Sequence, residues 1–494
     1  MRYHLMPLGC QMNLSDTERV KTVLHSMGYS ETEDENQADI LGIIACSVRQ
    51  KAIDKVYNRI AKWNKMKNRK SLLTFVSGCI LPSDKERFLT LFDLVFPMSE
   101  LPDLPDMIRQ YGIVTPAGLQ YPEMNTLASV QIPTEKKPFL QTARLPEKSI
   151  PTFKLNPAIG IDEFWQVEPS YSSNFEAFIP IQNGCDKFCS FCAVPYTRGR
   201  EVSRPSDEIL KEVKRLISNN FKSITLLGQN VNSYGLDKKG EEISFPQLLR
   251  EIGEYGKQSG KEFWVYFTSP HPRDMTDEVI EIVAQYPVLA KQIHLPIQSG
   301  DNGVLLRMNR KHSLEQYRHI VTTIRRLIPQ ATLFTDIIVG FTGETDEQFA
   351  NTRKVMEEFK YNMAYIAQYS VRPGAASSRW EDDVPKAVKK QRYHELTDTL
   401  LKYSLQYNQQ LIGRKMKVLV RGNDRKNGYL SALTEGKIVV RFESDKEELI
   451  GQFVEVVISS VTPLSMEARL SEQIQPQMHY KESENSLLNQ AIHR

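Results

Sequence analysis

Gly184-Cys-Asp-Lys-Phe-Cys-Ser-Phe-Cys192 is the stretch on which the reading of this chain turns. It places three cysteines in the order Cys-x3-Cys-x2-Cys, directly after a short apolar run, Phe178 to Ile181, that reads as a strand. Three thiolates within eight residues can wrap one iron-sulfur cube. A 4Fe-4S cluster takes four ligands, so one iron is left open to an exchangeable ligand, and an open iron implies chemistry rather than scaffolding. The plainer alternative is a structural zinc site. Such sites are closed by four protein ligands, and no histidine or fourth cysteine lies nearby in sequence to complete one.

Working outward from the motif, strand-like runs alternate with helical patterns six times between Phe175 and about Gln410. The runs are Phe178-Ile181, Ser223-Leu227, Phe263-Phe267, Gln292-Leu295, Leu333-Val339 and Met363-Tyr369. Six right-handed β/α units curl into a partial barrel, and the active-site loops of such barrels follow the carboxyl ends of the strands, where the cysteine motif falls. Upstream, the same alternation occurs three times: Tyr3-Leu8 then Asp16-Ser26, Ile40-Ala45 then Arg49-Lys65, Leu72-Ser77 then Asp84-Leu91. This is βαβ logic and predicts a parallel sheet. The remaining cysteines, Cys10, Cys46 and Cys79, are separated by 35 and 32 residues. Singly, each reads as a buried core cysteine. Together, each falls at the carboxyl end of one of three successive strands, and in an open parallel sheet those ends share the edge where ligands bind.

After Leu411 the pattern changes to short alternating runs, Met416-Arg421, Gly428-Leu433, Lys437-Phe442 and Gln452-Val461, broken by Gly, Asn and Asp, which predict a small antiparallel β-barrel. The expected organisation is multidomain α/β. An N-terminal parallel-sheet domain (1–112) is followed by a connector rich in Pro, Thr, Ser and Lys (113–173), the partial (β/α)6 barrel (174–410), the antiparallel barrel (411–470) and a polar tail (471–494) whose composition cannot sustain a core.

Composition excludes little. With 494 residues, 40% hydrophobic and 25% charged, the chain has material for about three domains and no apolar run near the length of a membrane span. The start has no signal-peptide pattern, so the protein is expected in the cytosol with no membrane partner. Six cysteines in that reducing compartment point to metal or catalysis rather than disulfides. A net charge of +3 neither demands nor excludes a nucleic-acid partner, and the Arg414-Leu470 segment is only mildly basic, with ten Lys/Arg against eight Asp/Glu.

The cysteine segment continues as Ala193-Val-Pro-Tyr-Thr-Arg-Gly-Arg-Glu201, and with Gly9-Cys-Gln-Met-Asn13 it closely resembles the methylthiotransferase family of radical S-adenosylmethionine (SAM) enzymes. The resemblance extends to Leu227-Gly-Gln-Asn-Val231, His294-Leu-Pro-Ile-Gln-Ser-Gly300, Asp336-Ile-Ile-Val-Gly-Phe-Thr-Gly-Glu344 and a TRAM-like C-terminal barrel. Three departures stand out: Ile44-Ala45 precede Cys46 where Asn-Thr is usual, Thr342 replaces a common Pro, and the connector is long.

The resemblance implies a 4Fe-4S cluster on Cys185, Cys189 and Cys192 that holds SAM and releases a 5'-deoxyadenosyl radical. It implies a second, auxiliary 4Fe-4S cluster on Cys10, Cys46 and Cys79 that carries sulfur, methylated by a second SAM. No catalytic residue beyond these cluster ligands is implied. The Gly-Cys-Gln-Met-Asn form is similar to the branch that converts N6-isopentenyladenosine beside the tRNA anticodon to its 2-methylthio derivative. Phe191, Gln229, Gln298, Gly340 and Glu344 fall in motifs at strand ends and are candidates to cradle SAM, with loop and core structure as their ordinary alternative. Tyr196, Arg198, Arg200 and Arg204 combine an aromatic with cations and are candidate RNA contacts, with surface salt bridges as theirs. The implied partners are a tRNA anticodon stem-loop, an electron donor such as flavodoxin or ferredoxin, and a sulfur-supplying or cluster-assembly protein. Rival substrates are threonylcarbamoyladenosine in tRNA and an aspartate of a ribosomal protein; a rival of another class is a non-catalytic iron-sulfur RNA-binding sensor.

Overall fold

A computed structural model describes residues 1–47, 50–111 and 161–471. Most of the 113–173 connector and all but the first residue of the 471–494 tail lie outside the described residues.

The N-terminal sheet is parallel, in the order Ser30–Glu31, Arg2–Pro7, Ile40–Cys46, Leu73–Cys79, Leu94–Val95. The strands Ile40–Cys46 and Leu73–Cys79 are mostly apolar and buried along their whole length, as expected where helices cover both faces of a parallel sheet. The helix Gln50–Lys67 buries Ala52, Ile53, Val56, Ile60 and Trp63 and turns its lysines outward. The first and last strands are two residues each, too short for sequence periodicity to reveal.

The central domain holds six parallel strands in two halves. Trp264–Phe267, Ser223–Leu227 and Glu176–Pro180 form one, and Gln292–His294, Thr332–Val339 and Met363–Gln368 the other. A single parallel bridge, Val265 to Leu289, joins them on one side. Among the described residues no ladder links Glu176–Pro180 to Met363–Gln368, so the barrel is open. Several outer helices start on side-chain caps. Ser244 with Gln247, and Thr345 with Gln348, form complete capping boxes.

The helix Gln11–Ser26 packs on the edge strand Glu176–Pro180, and Ser15 Oγ donates to the Phe178 carbonyl (3.2 Å), occupying an edge group that would otherwise lack a ladder partner. The same seam buries Arg19, whose Nη1 donates to Ser15 Oγ (2.9 Å), and the Arg204–Glu212 ion pair (2.5 Å).

The C-terminal domain is a closed five-stranded barrel, Lys415–Asn423, Tyr429–Thr434, Val439–Glu443, Ser465–Leu470, Phe453–Val461. It is not wholly antiparallel: Val439–Glu443 pairs with Ser465–Leu470 in parallel. That fifth strand was not anticipated; closure needs it, and its alternating Met466 and Ala468 face the core. The barrel seats against the amino ends of the central strands. Trp264 meets Phe453 with ring centroids 4.5 Å apart, Leu419 packs beside Trp264 and Tyr266, the Lys291 amide donates to Glu435 (3.0 Å), and Arg421 pairs with Glu176 (2.7 Å). The carboxyl ends are thereby left free for a site.

Candidate active site

Cys185, Cys189 and Cys192 sit in the loop after Glu176–Pro180, on the carboxyl side of the barrel. The loop has an unusual backbone that neighbours hold in place. Gly184 has φ +78°, and a Cβ there would lie 2.0 Å from the Arg200 carbonyl oxygen, so only glycine fits. Phe188 also has positive φ (48°), and its carbonyl accepts from Asn309 (2.9 Å). Ser190 donates its amide to Met308 (3.0 Å) and its hydroxyl to Arg307 (2.8 Å). Lys187 forms a buried ion pair with Asp274 (2.7 Å), which also accepts from Asn230 (3.0 Å), tying the loop to the ends of the next two strands. Arg310 Nη1 donates to Cys189 Sγ (3.5 Å).

The second trio converges as the topology requires. Cys46 and Cys79 end adjacent strands and are register partners; Cys10 stands at the N-cap of Gln11–Ser26. Gly9 has φ +110°, and a Cβ there would lie 2.5 Å from Cys46 Cβ and 2.9 Å from its Sγ, so glycine allows the Cys10 turn to close on Cys46. Asn13 donates to the Leu8 (2.6 Å) and Ala45 (2.7 Å) carbonyls, tying the helix start to the strand that ends in Cys46.

All six cysteines are free thiols. Within each trio the sulfurs feel one another electrostatically: Cys79 with Cys46 and Cys10, Cys185 with Cys192 and Cys189. Burial pushes the Cys79, Cys185 and Cys192 thiols up to about 12, so each is neutral until a metal replaces its proton. Among the described residues no group of three or more His, Cys, Asp or Glu closes around one metal ion. Three thiols brought together in each trio are the donor set that an iron-sulfur cluster takes.

The loops beyond the other strand ends fit a polar ligand. Gln229 Oε1, Asn230 Oδ1, His271 Nε2, Arg310 Nε, His312 Nε2 and Thr342 Oγ1 are all buried without a hydrogen-bond partner. Buried polar atoms are normally paired, so these loops together offer donors and acceptors to a zwitterionic nucleoside such as SAM. Burial and the nearby Arg310 hold both imidazoles neutral, His312 down at about 4.

The five SAM candidates therefore have distinct surroundings. Gln229 presents its free carbonyl. Gln298, at φ +73°, donates its amide to the Asp336 carbonyl (2.8 Å) and accepts from the Ile338 amide (2.9 Å). Gly340, at φ +68°, has its amide bound by Glu344 Oε2 (2.6 Å), and the same oxygen pairs with Arg392 (2.7 Å). Glu344 is thus spent on shaping the Gly340 turn. Phe191 packs edge-on to Phe341, with centroids 6.5 Å apart.

The RNA candidates require a correction. Arg198 and Arg204 are each only 6% exposed at the side chain, Arg198 paired with Asp16 (2.5 Å) and Arg204 with Glu208 and Glu212. A guanidinium with its donors committed under cover cannot hold a phosphate, so neither lies where RNA could reach it. Arg200 is exposed, paired bidentately with Asp186 (2.8 and 2.9 Å), and Tyr196 is half-buried. Sequence reading assigned no role to Asp16, Lys187, Asp274 or Arg310, because nothing in spacing marks which distant side chain each one meets.

Family models match the Radical SAM superfamily over residues 179–356, the uncharacterized protein family UPF0004 over 2–96 and the TRAM domain over 409–470. A tRNA-2-methylthio-N(6)-dimethylallyladenosine synthase from Geotalea uraniireducens (strain Rf4) is 35% identical over 471 residues, covering 94% of this chain and 98% of the relative. The chain belongs to this family. Another member, from Vibrio parahaemolyticus serotype O3:K6, is 33% identical and covers 94% and 90%. Among solved structures, the radical S-adenosylmethionine methyltransferase TsrM from Kitasatospora setae superposes with TM-score 0.51 at 13% identity, covering 86% of this chain and 79% of that one, a likeness of fold alone. Membership of the radical SAM superfamily implies a 4Fe-4S cluster and SAM. No helix among the described residues is long and apolar enough to cross a membrane.

Proposed function

We propose that the chain is a tRNA methylthiotransferase that converts N6-isopentenyladenosine next to the anticodon to its 2-methylthio derivative, as the names of its relatives describe. The observation that carries the reading is the bringing of two thiol trios toward one another: Arg198, six residues beyond Cys192, donates to Cys79 Sγ at 3.0 Å. Cys185, Cys189 and Cys192 hold one 4Fe-4S cluster; Cys10, Cys46 and Cys79 hold a second. When bound, the first cluster and SAM supply a 5'-deoxyadenosyl radical, the reagent that an adenine C2–H, inert to acid-base chemistry, requires.

The chain's own residues bind and orient. The unpaired atoms of Gln229, Asn230, His271 and His312 receive SAM, and Gly340 allows close backbone approach. Neutral imidazoles at His271 and His312 can pair with a ligand without repelling its ammonium or sulfonium. The open side of the barrel admits the base. On the C-terminal barrel, a cavity of about 450 Å³ lined by Asn423, Asp424, Arg425, Lys426, Ser431 and Arg441 offers cations for RNA phosphates, with Arg441 Nε buried and unpaired. The exposed Arg200 and half-buried Tyr196 remain the contacts nearest the chemistry. The reaction also calls for an electron donor such as flavodoxin or ferredoxin, and for a sulfur-supplying or cluster-assembly protein, all met in the cytosol.

The test is anaerobic reconstitution with iron and sulfide, then SAM, reductant and an anticodon stem-loop carrying isopentenyladenosine, with the digested nucleosides weighed by mass spectrometry. The expected product is methylthio-isopentenyladenosine. Cys192→Ala abolishes SAM cleavage, whereas Cys10→Ala still forms 5'-deoxyadenosine but no methylthio product. Methylthiolated RNA from Cys10→Ala would remove the sulfur-carrier role from the second trio. SAM cleavage without modified RNA in the unsubstituted protein would move the substrate to another nucleoside or to a protein side chain.

A further inference from the structure

Arg198 closes the five-residue helix Val194–Arg198 that follows the first cysteine loop, and it is buried. Nε donates to Cys79 Sγ at 3.0 Å, Nη2 to Asn13 Oδ1 (3.0 Å) and Asp16 Oδ2 (2.5 Å), and Nη1 to Asn183 Oδ1 (3.4 Å). Asp16 balances the charge, so the pair is not an anion site waiting for a ligand. An interdomain strut needs only the ion pair. It does not need to spend an N–H on a sulfur, a weak acceptor while the thiol is neutral and a strong one once it is an iron-bound thiolate. The donor is thus placed for the ligated state of Cys79.

We propose that Arg198 is a positioning residue that tunes the second cluster. Its Nε–H hydrogen-bonds the Cys79 thiolate, draws charge from that sulfur and holds the cluster at a higher reduction potential than its three thiolates alone would set. Hydrogen bonds to cluster sulfurs and burial are the levers by which a protein sets such potentials, and here the donor comes from the segment that leaves the other cluster's loop. Through Asn13, which ties Leu8 and Ala45 together, the same guanidinium also fixes the backbone beside Cys10 and Cys46. The inference rests on the two-cluster reading above.

The experiment uses the full chain carrying Cys185→Ala, Cys189→Ala and Cys192→Ala, reconstituted anaerobically so that any cluster belongs to the second trio, and titrated with dithionite under EPR. Arg198→Lys keeps a cation opposite Asp16 but removes the Nε–H. Its midpoint is expected to fall, so that at the unsubstituted midpoint the reduced fraction drops from one half to roughly a tenth, one tenfold step in the reduction equilibrium. Asp16→Asn, which breaks the ion pair and keeps the N–H, is expected not to lower the midpoint. A purely structural Arg198 would instead make both variants behave alike.

Pulsed EPR in D2O decides independently of whether the lysine variant folds. The reduced cluster with Arg198 intact should show a strongly coupled exchangeable proton, and its absence overturns the proposal, as does an unshifted midpoint in Arg198→Lys. If the triple-cysteine variant assembles no 4Fe-4S cluster by iron and sulfide content, it is the two-cluster reading that has failed.

Discussion

Glu201, a few residues beyond the cysteine loop, is 8% exposed, with Oε2 buried and unpaired. Burial pushes its carboxyl up to about 7, against the pull of Ser233 and Lys187. Because the folded value exceeds the unfolded one, the protonated side chain's contribution to stability is complete below about 4.5 and is lost as pH rises through about 7. Glu201→Gln should match the parent in thermal unfolding at about pH 4 and exceed it at about pH 8.5, by on the order of 3 kcal/mol at most. Equal melting curves at both values would place the carboxylate in a solvated setting. At this scale the placement of the six cysteines in the fold was legible because their spacing and strand-end positions are sequence properties. The character of Arg198 and Arg204 was not. Tyr196 to Arg204 reads as an RNA-binding composition, and only the folded chain places Asp16 and Glu212 against those guanidiniums.

The cysteine loop depends on elements that meet across long stretches of chain. Gly184→Ala would drive a Cβ to 2.0 Å from the Arg200 carbonyl oxygen, and that backbone cannot yield without losing the Cys185 amide bond to Gly199 (3.2 Å). The variant should bind less iron on reconstitution while keeping the C-terminal barrel folded. Gly240→Ala meets nothing within 4 Å and has only its φ of +87° to accommodate, so it should cost about 1 kcal/mol and keep full iron. Iron analysis with thermal unfolding separates the two. The β/α alternation was readable because runs such as Ile40–Cys46 and Ser223–Leu227 are buried on every side and so are mostly apolar. Ser30–Glu31, Leu94–Val95 and the hairpin of Gln182–Asn183 with Val202–Ser203 escaped because they are two residues long and carry no period, whereas Ser465–Leu470 escaped although its six residues alternate.

Across the whole molecule, the C-terminal barrel rests on the amino ends of the central strands through Leu419, whose side chain belongs to this seam and not to the barrel's own core. Leu419→Asp sets a charge against Trp264 and Tyr266 while sparing that core. It should unseat the barrel, lower tRNA affinity at least tenfold and leave SAM binding by the central domain unchanged, read by two binding titrations. Loss of SAM binding to the same degree would mean that the seam also braces the active-site end.

The sequence alone determined the architecture and where its six cysteines fall within it. Hydrophobic periodicity is local, the hand of a β/α crossover is fixed in advance, and a Cys-x3-Cys-x2-Cys loop takes only eight residues to spell out. The tertiary structure decided what depends on encounters between distant segments. It showed that Val439–Glu443 and Ser465–Leu470 close the last barrel in parallel and that the barrel sits opposite the site. It placed Glu344 on Arg392 and Gly340, and it placed Arg198 on Cys79. Hydrogen bonds and ion pairs reach only a few ångströms, so which polar group a side chain serves is fixed by packing across more than a hundred residues of chain.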